Sequence, residues 1–236
     1  MIDAFQGGTP VGLRPAPVCP TPRFGTTHRE QFIAEDDPKE PIGVNVGDYV
    51  CSLSDAEIAK VMQEMEIALD STKLQGLFWL KRELCRPRPY QTALLLGING
   101  FYYDRAISAT HSSIYSGHCL EGILSAATVF DRWRNDSRYS NEDIDRLAHY
   151  AVDFGDRRVF AGVHYPSDNV VSWWMAASLI GELFADPEPV RAFVVAAVRT
   201  HSLVYRAIAE RIGEDALNGA RVLLEEVDLL NEQSNS

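Results

Sequence analysis

The chain reads as an all-α protein, a single-domain bundle of about eight helices. Three observations predict this. Apolar residues recur at helical spacing through most of the chain beyond position 54, helix-capping residues stand where those patterns begin, and few segments alternate with period two. At 236 residues the chain is long enough to bury one core, and no shift of composition calls for a second.

Seven of the twelve prolines fall in the first 41 residues, so residues 1–50 are expected to form an irregular Pro-rich arm, with the helical domain over 51–236. Ser54, Asp55 and Glu57 form a capping-box signature, after which Ile58, Val61, Met62 and Met65 recur at helical spacing. A second helix carries Leu77, Leu80, Lys81 and Leu84 and is ended by Pro87 and Pro89, placing Lys81 on its last turn and Arg88 on the extended exit. A third starts at Ser116-Gly117-His118, with Leu120, Ile123, Leu124, Ala127 and Val129 on its apolar face up to Trp133. Ser140 to Asp143 caps a fourth through Ile144, Leu147, Ala148 and Val152 toward Arg158, with Gly155 as a point of interruption. Pro166 breaks the pattern just after His164, and Ser167 or Asp168 is the expected cap of the next helix, Asn169 to Phe184. Further helices are expected at Val190 to Val198 and Ala216 to Leu230.

A charged fraction of 23% and a hydrophobic fraction of 46% describe an ordinary folded protein. A net charge of -11 argues against nucleic acid as a partner, since binding a phosphate backbone needs excess Lys and Arg. The positive charge is local instead. Lys81, Arg82, Arg86 and Arg88 cluster, and Arg157-Arg158 forms a second pair, which suits a small anionic ligand. The apolar run from Val170 to Ala185 is too short for a membrane span and is broken by Ser172, Ser178 and Glu182, so no integral membrane segment is expected. Met1 to Gly25 lacks the basic and apolar regions of a secretory signal. The expected location is the cytoplasm by default, or the periplasm or exterior if a signal was removed. Cys19, Cys51, Cys85 and Cys119 show neither CxxC nor metal-ligand spacing, and nothing requires disulfides among them. The arm and the apolar C-terminal helices leave room for a homo-oligomer.

Three segments carry the chemistry: Lys81 followed after six residues by Arg88-Pro89; Ser116-Gly117-His118; and Arg158, then His164 after five residues and Asp168 after three more. Singly, each has an ordinary explanation as surface charge, turn or structural ion pair. Jointly they describe an anion pocket with a nucleophile. Three fixed cations, a hydroxyl and a backbone N–H at a helix N-terminus suit a tetrahedral or trigonal-bipyramidal oxyanion, and two histidines can divide nucleophilic and acid roles.

These segments resemble the signature shared by type 2 phosphatidic acid phosphatases, bacterial class A acid phosphatases and vanadium-dependent haloperoxidases. The resemblance implies that His164 attacks phosphorus and forms a phosphohistidine, that Asp168 orients its other ring nitrogen, and that His118 protonates the leaving oxygen and then activates water. It further implies that Lys81, Arg88, Ser116, the Gly117 N–H and Arg158 hold the phosphoryl oxygens. Two positions depart from the usual pattern: Tyr115 stands where the family usually has Pro, and Arg157 where it usually has Ser. Neither supplies a reacting atom.

The implied activity is a soluble, metal-independent phosphatase acting on small phosphomonoesters, with no cofactor. Vanadate chemistry in the same pocket is the alternative, with vanadate bound at His164 and peroxide and halide as substrates. His111, seven positions before His118, resembles a second histidine of brominating haloperoxidases, or is an ordinary loop histidine. Chain length favours the phosphatase. His111, Tyr115 and Arg157, with Tyr90 and Tyr165, are the candidate pocket wall. A cysteine-phosphatase loop at Cys119 is rejected because Ser125 stands where its Arg is needed, and a metal centre on His111, His118 and His164 lacks a carboxylate or Cys at ligand spacing beside His111. Cys85, among basic residues, reads as an inert packed thiol.

Overall fold

The computed structural model describes residues 56, 60, 79–99, 101, 109 and 111–212. Helical turns at 79–84 lead into six helices: α1 (Pro89–Leu95), α2 (Gly117–Trp133), α3 (Asn141–Phe160), α4 (Pro166–Leu183), α5 (Pro187–His201) and α6 (Leu203–Ile212). Among the described residues there is no strand. The fold is all-α, and the helices expected at 54–65 and 216–230 lie essentially outside the described residues.

The central pair is α2 and α3. A Cβ on Gly122 would lie 3.0 Å from the Phe154 Cβ, and one on Gly155 would lie 2.6 Å from the Cys119 Sγ. The order 119 with 155 and 122 with 154 makes the pair antiparallel, so the first turn of α2 meets the last turns of α3. Gly155 does not interrupt α3, contrary to expectation. The absent side chain lets α3 approach Cys119 closely while the helix continues. Helices α4 and α5 cover this pair, and Ile123, Leu147, Tyr150, Phe154 and Ile180 are fully buried between them. Burial of each large aliphatic side chain contributes ~1.5–3 kcal/mol.

Capping differs from expectation at two places. Pro89 does not simply end a helix; it opens α1, with Arg88 as its N-cap in extended conformation at φ -75° and ψ 158°. A proline at the first helical position lacks only an N–H that would be unsatisfied there. Similarly α4 starts at Pro166 with Tyr165 as N-cap, not at Ser167 or Asp168, and the Asp168 side chain reaches back to accept from the Tyr165 N–H at 2.9 Å. Ser202 separates α5 from α6, where buried Asp156, near the end of α3, accepts from the Leu203 N–H at 2.6 Å and the Ser202 hydroxyl at 2.9 Å. Among the described residues no single helix is long and apolar enough to cross a membrane; only α5 and α6 taken together, bent by 72°, pass that test.

Candidate active site

Helix ends build the site: the first turns of α2 and α4, the last turn of α3 and the loops 85–88 and 111–116 converge. Lys81, on the last turn of the stretch 79–84, sends its ammonium inward. Its Nζ donates to the Tyr115 carbonyl at 2.6 Å and sits 4.7 Å from the centre of the Tyr115 ring, while the Ser112 hydroxyl donates back to the Lys81 carbonyl. Tyr115, where the family usually has Pro, therefore seats Lys81 with both its carbonyl and its ring. Burial, and then the Arg88 charge, lower the Lys81 ammonium to about 8. Burial and the nearby Glu121 push the Tyr115 phenol up to about 12, so it stays neutral.

Arg88 is 3% exposed. Its Nε donates to the His111 carbonyl at 2.9 Å, and its Nη1 donates to the Val163 carbonyl at 2.9 Å and lies 3.1 Å from His164 Nε2. The guanidinium thus ties the 111–116 loop to the approach of α4. A backbone bond from the Ser113 N–H to the Arg86 carbonyl, 2.9 Å, joins the two loops as well.

Ser116 caps α2 by accepting from the Cys119 N–H at 3.3 Å, which leaves its own proton to donate. Its position is fixed by Ser172 of α4, whose hydroxyl accepts from the Ser116 N–H at 3.0 Å and lies 2.8 Å from the Ser116 carbonyl. The N–H groups of Gly117 and His118 open α2 at its positive end.

His164 and Asp168 form a buried hydrogen-bonded pair. His164 Nδ1 lies 3.0 Å from Asp168 Oδ2. Burial pushes the Asp168 carboxyl up, but hydrogen bonds from His164, Ser113 and the Tyr165 N–H outweigh it and hold the group below its usual value. An ionised carboxylate only accepts, so Nδ1 carries the proton and the Nε2 lone pair faces Arg88. Burial lowers His164 to about 4, with Arg88 and Lys81 acting in the same sense against the bond to Asp168. The imidazole is neutral at ordinary pH, as a nitrogen nucleophile requires. Beside it lies a cavity of about 260 Å³, walled mainly by Pro89, Ala93, Ile98, Phe101 and Phe160.

Arg158 is buried at the end of α3. His118 is buried too, and is held well below its usual value by burial and then by the charges of Arg158, His164, Lys81 and Arg88. Those couplings place all four around it. His111 is exposed, with partial burial and then Lys81 and Arg88 lowering its imidazole. It stands at the mouth.

Arg157 does not join this cluster. Successive helical positions point about 100° apart, and its guanidinium pairs with Asp153 at 3.5 Å and lies 5.1 Å from the Phe154 ring centre. Tyr165 belongs to the rim, its hydroxyl 2.6 Å from Thr92 Oγ1. Cys85 is exposed, not packed, at φ 43°, with its thiol donating to the Arg82 carbonyl at 2.7 Å; it and Cys119 are free thiols.

Four residues of the site carry no motif signal. Arg86 pairs with Asp168 Oδ1 at 2.8 Å and lies 4.1 Å over the Tyr165 ring, the Ser113 hydroxyl donates to Asp168 Oδ2, Ser172 fixes Ser116, and Glu121 lies within the field of Lys81 and Arg158. Of these, Arg86 was visible as part of the basic cluster. Glu121 was not singled out in the sequence; the signal that could have found it is its place three positions after His118 on an expected helix.

A family model described as the PAP2 superfamily matches residues 71–189, which is 119 of the 236 residues and spans all three signature segments. The chain belongs to the PAP2 superfamily. Comparisons with curated proteins and with solved structures return no match. Membership in the PAP2 superfamily supports phosphatase-type activity, the hydrolysis of phosphate esters.

Proposed function

We propose that this PAP2 protein is a soluble, metal-independent phosphatase that hydrolyses small phosphomonoesters through a phosphohistidine at His164. The observation that carries the reading is the neutral His164, with Nδ1 tied to Asp168 and its Nε2 lone pair turned toward Arg88. Lys81, Arg88 and Arg158 supply the charge that stabilises a phosphoryl transition state, with Ser116 and the Gly117 N–H adding donors. Nε2 attacks phosphorus and the ester P–O bond breaks. His118, which gains basicity when a phosphoryl anion sits beside it, gives its proton to the leaving oxygen. It then takes a proton from water, whose oxygen attacks phosphorus, breaking the phosphorus–nitrogen bond and releasing inorganic phosphate. The apolar cavity beside His164 suits an aryl or alkyl leaving group.

Purified protein is expected to hydrolyse an aryl phosphate in the presence of EDTA, with inhibition by vanadate, and His164→Ala is expected to abolish turnover. Undiminished hydrolysis in that variant refutes the mechanism. A second reading rests on His111, whose carbonyl holds Arg88 at the pocket mouth. The same cationic cradle with the Nε2 lone pair also fits vanadate, which when bound supplies peroxide activation for halide oxidation. That reading requires vanadate to activate dye bromination by peroxide and bromide instead of inhibiting hydrolysis.

A further inference from the structure

An acidic side chain among the cations of an oxyanion pocket needs an explanation, and Glu121, within the field of Lys81 and Arg158, is such a residue. It stands on α2 one turn after Gly117, on the same face. Helical side chains lean toward the N-terminus, so its carboxylate is directed toward the turn where Ser116, Gly117 and His118 present their donors. Its Oε2 is buried with no hydrogen-bond partner among the described residues. Burial raises the Glu121 carboxyl against the opposing charges of Arg158 and Lys81. The groups that act on it from the elements packed around it are Lys81 from the stretch 79–84, Tyr115 from the loop before α2 and Arg158 from α3.

A buried carboxylate oxygen without a donor is costly, and a second anion brought beside it adds repulsion. Both costs vanish if one proton lies between the two. We propose that Glu121 is a specificity-determining residue: it accepts a hydrogen bond from a protonated oxygen of the bound anion, admitting phosphate and phosphomonoester monoanions and turning away fully ionised tetrahedral anions such as sulfate. This rests on the reading of the pocket as a phosphoryl site. Inorganic phosphate still carries a proton at neutral pH, and a monoester loses its second proton only near pH ~6. Sulfate carries none across this range. To bind sulfate, Glu121 has to draw a proton from solvent and become the donor, which grows harder as pH rises. Lys81 loses charge near pH 8 as well, but its loss weakens both anions alike and cancels in their ratio.

The test is calorimetric titration of the full chain with inorganic phosphate and with sodium sulfate at pH 7.5, in the wild type and in Glu121→Gln. The wild type is expected to prefer phosphate by roughly a hundredfold, the order of the cost of leaving a buried group without its hydrogen-bond partner. In Glu121→Gln, whose amide can both donate and accept, the preference is expected to shrink about tenfold, chiefly through tighter sulfate binding. An unchanged ratio overturns the proposal. Should Glu121→Gln fail to fold, binding of sulfate and of phosphate to the wild type in two buffers of different ionisation enthalpy gives the answer: uptake of about one more proton per sulfate than per phosphate supports it, and equal uptake overturns it. Binding of neither anion overturns both this inference and the pocket reading beneath it. Selective binding without ester hydrolysis leaves the inference standing and refutes only the catalytic reading.

Discussion

Arg86→Gln isolates what a guanidinium outside the signature contributes to the nucleophile. Its Nη1 pairs with Asp168 Oδ1 at 2.8 Å while its plane lies over Tyr165 at 4.1 Å. Asp168 is fully buried and Arg86 is 32% exposed. Because solvent reaches one partner, the pair is discounted from a fully buried one, and loss of the charge-assisted bond is expected to cost ~1–2 kcal/mol. If that cost falls on the geometry of attack, kcat drops about tenfold. A second effect follows from charge. Without Arg86 the Asp168 carboxylate is less neutralised, which favours the imidazolium form of His164 and raises its pKa from about 4. Since only the neutral imidazole attacks, the acid limb of the kcat/KM profile is expected to move upward by about one pH unit. Arg86→Lys, which keeps the charge and loses the fork, is expected to restore the limb more fully than kcat. The assay is aryl phosphate hydrolysis across the acid limb and up to neutral pH. A fall in kcat equal in both variants, with the limb unmoved, refutes the reasoning.

Gly155→Ala brings a methyl to 2.6 Å from the Cys119 Sγ, against a helix that forms the anion site, and is expected to cost ~1–3 kcal/mol in thermal unfolding; an unchanged midpoint contradicts the close approach. Affinity for inorganic phosphate is expected to fall as pH rises through about 8, because Lys81 then loses its proton; in Lys81→Met the remaining affinity shows no step there. Burial, and then Asp153, raise the Asp156 carboxyl to about 7 from 3.8. A raised acid binds its proton more tightly in the folded state, so its contribution is fully present below about pH 3.8 and is lost as pH rises through 7. Melting curves across that window test this, and Asp156→Asn is expected to flatten the trend.

Where helical periodicity and capping residues coincide, as in α2 and α3, the elements were legible in the sequence, and so was the placing of motif residues at helix ends. Proline misled twice. Pro89 and Pro166 each read as breaks but open helices, because the first helical position tolerates a missing N–H. Gly155 read as an interruption because periodicity does not report how near another helix passes. In the site, residues bound by fixed spacing were recoverable, whereas Arg86, Ser113 and Ser172 act across the fold through hydrogen bonds that no local pattern encodes. Arg157 and Arg158 are adjacent in the chain yet serve different surroundings. That divergence follows from the angular step between neighbouring helical positions alone, so the amino-acid pattern already contained it.

The central claim is that His164 becomes covalently phosphorylated. Rapid acid-free quenching during turnover of a radiolabelled aryl phosphate, followed by peptide mapping, tests it directly. The account predicts a base-stable, acid-labile label on the peptide carrying His164, absent in His164→Ala. Steady hydrolysis with no label on the chain, or a label on another residue, contradicts it.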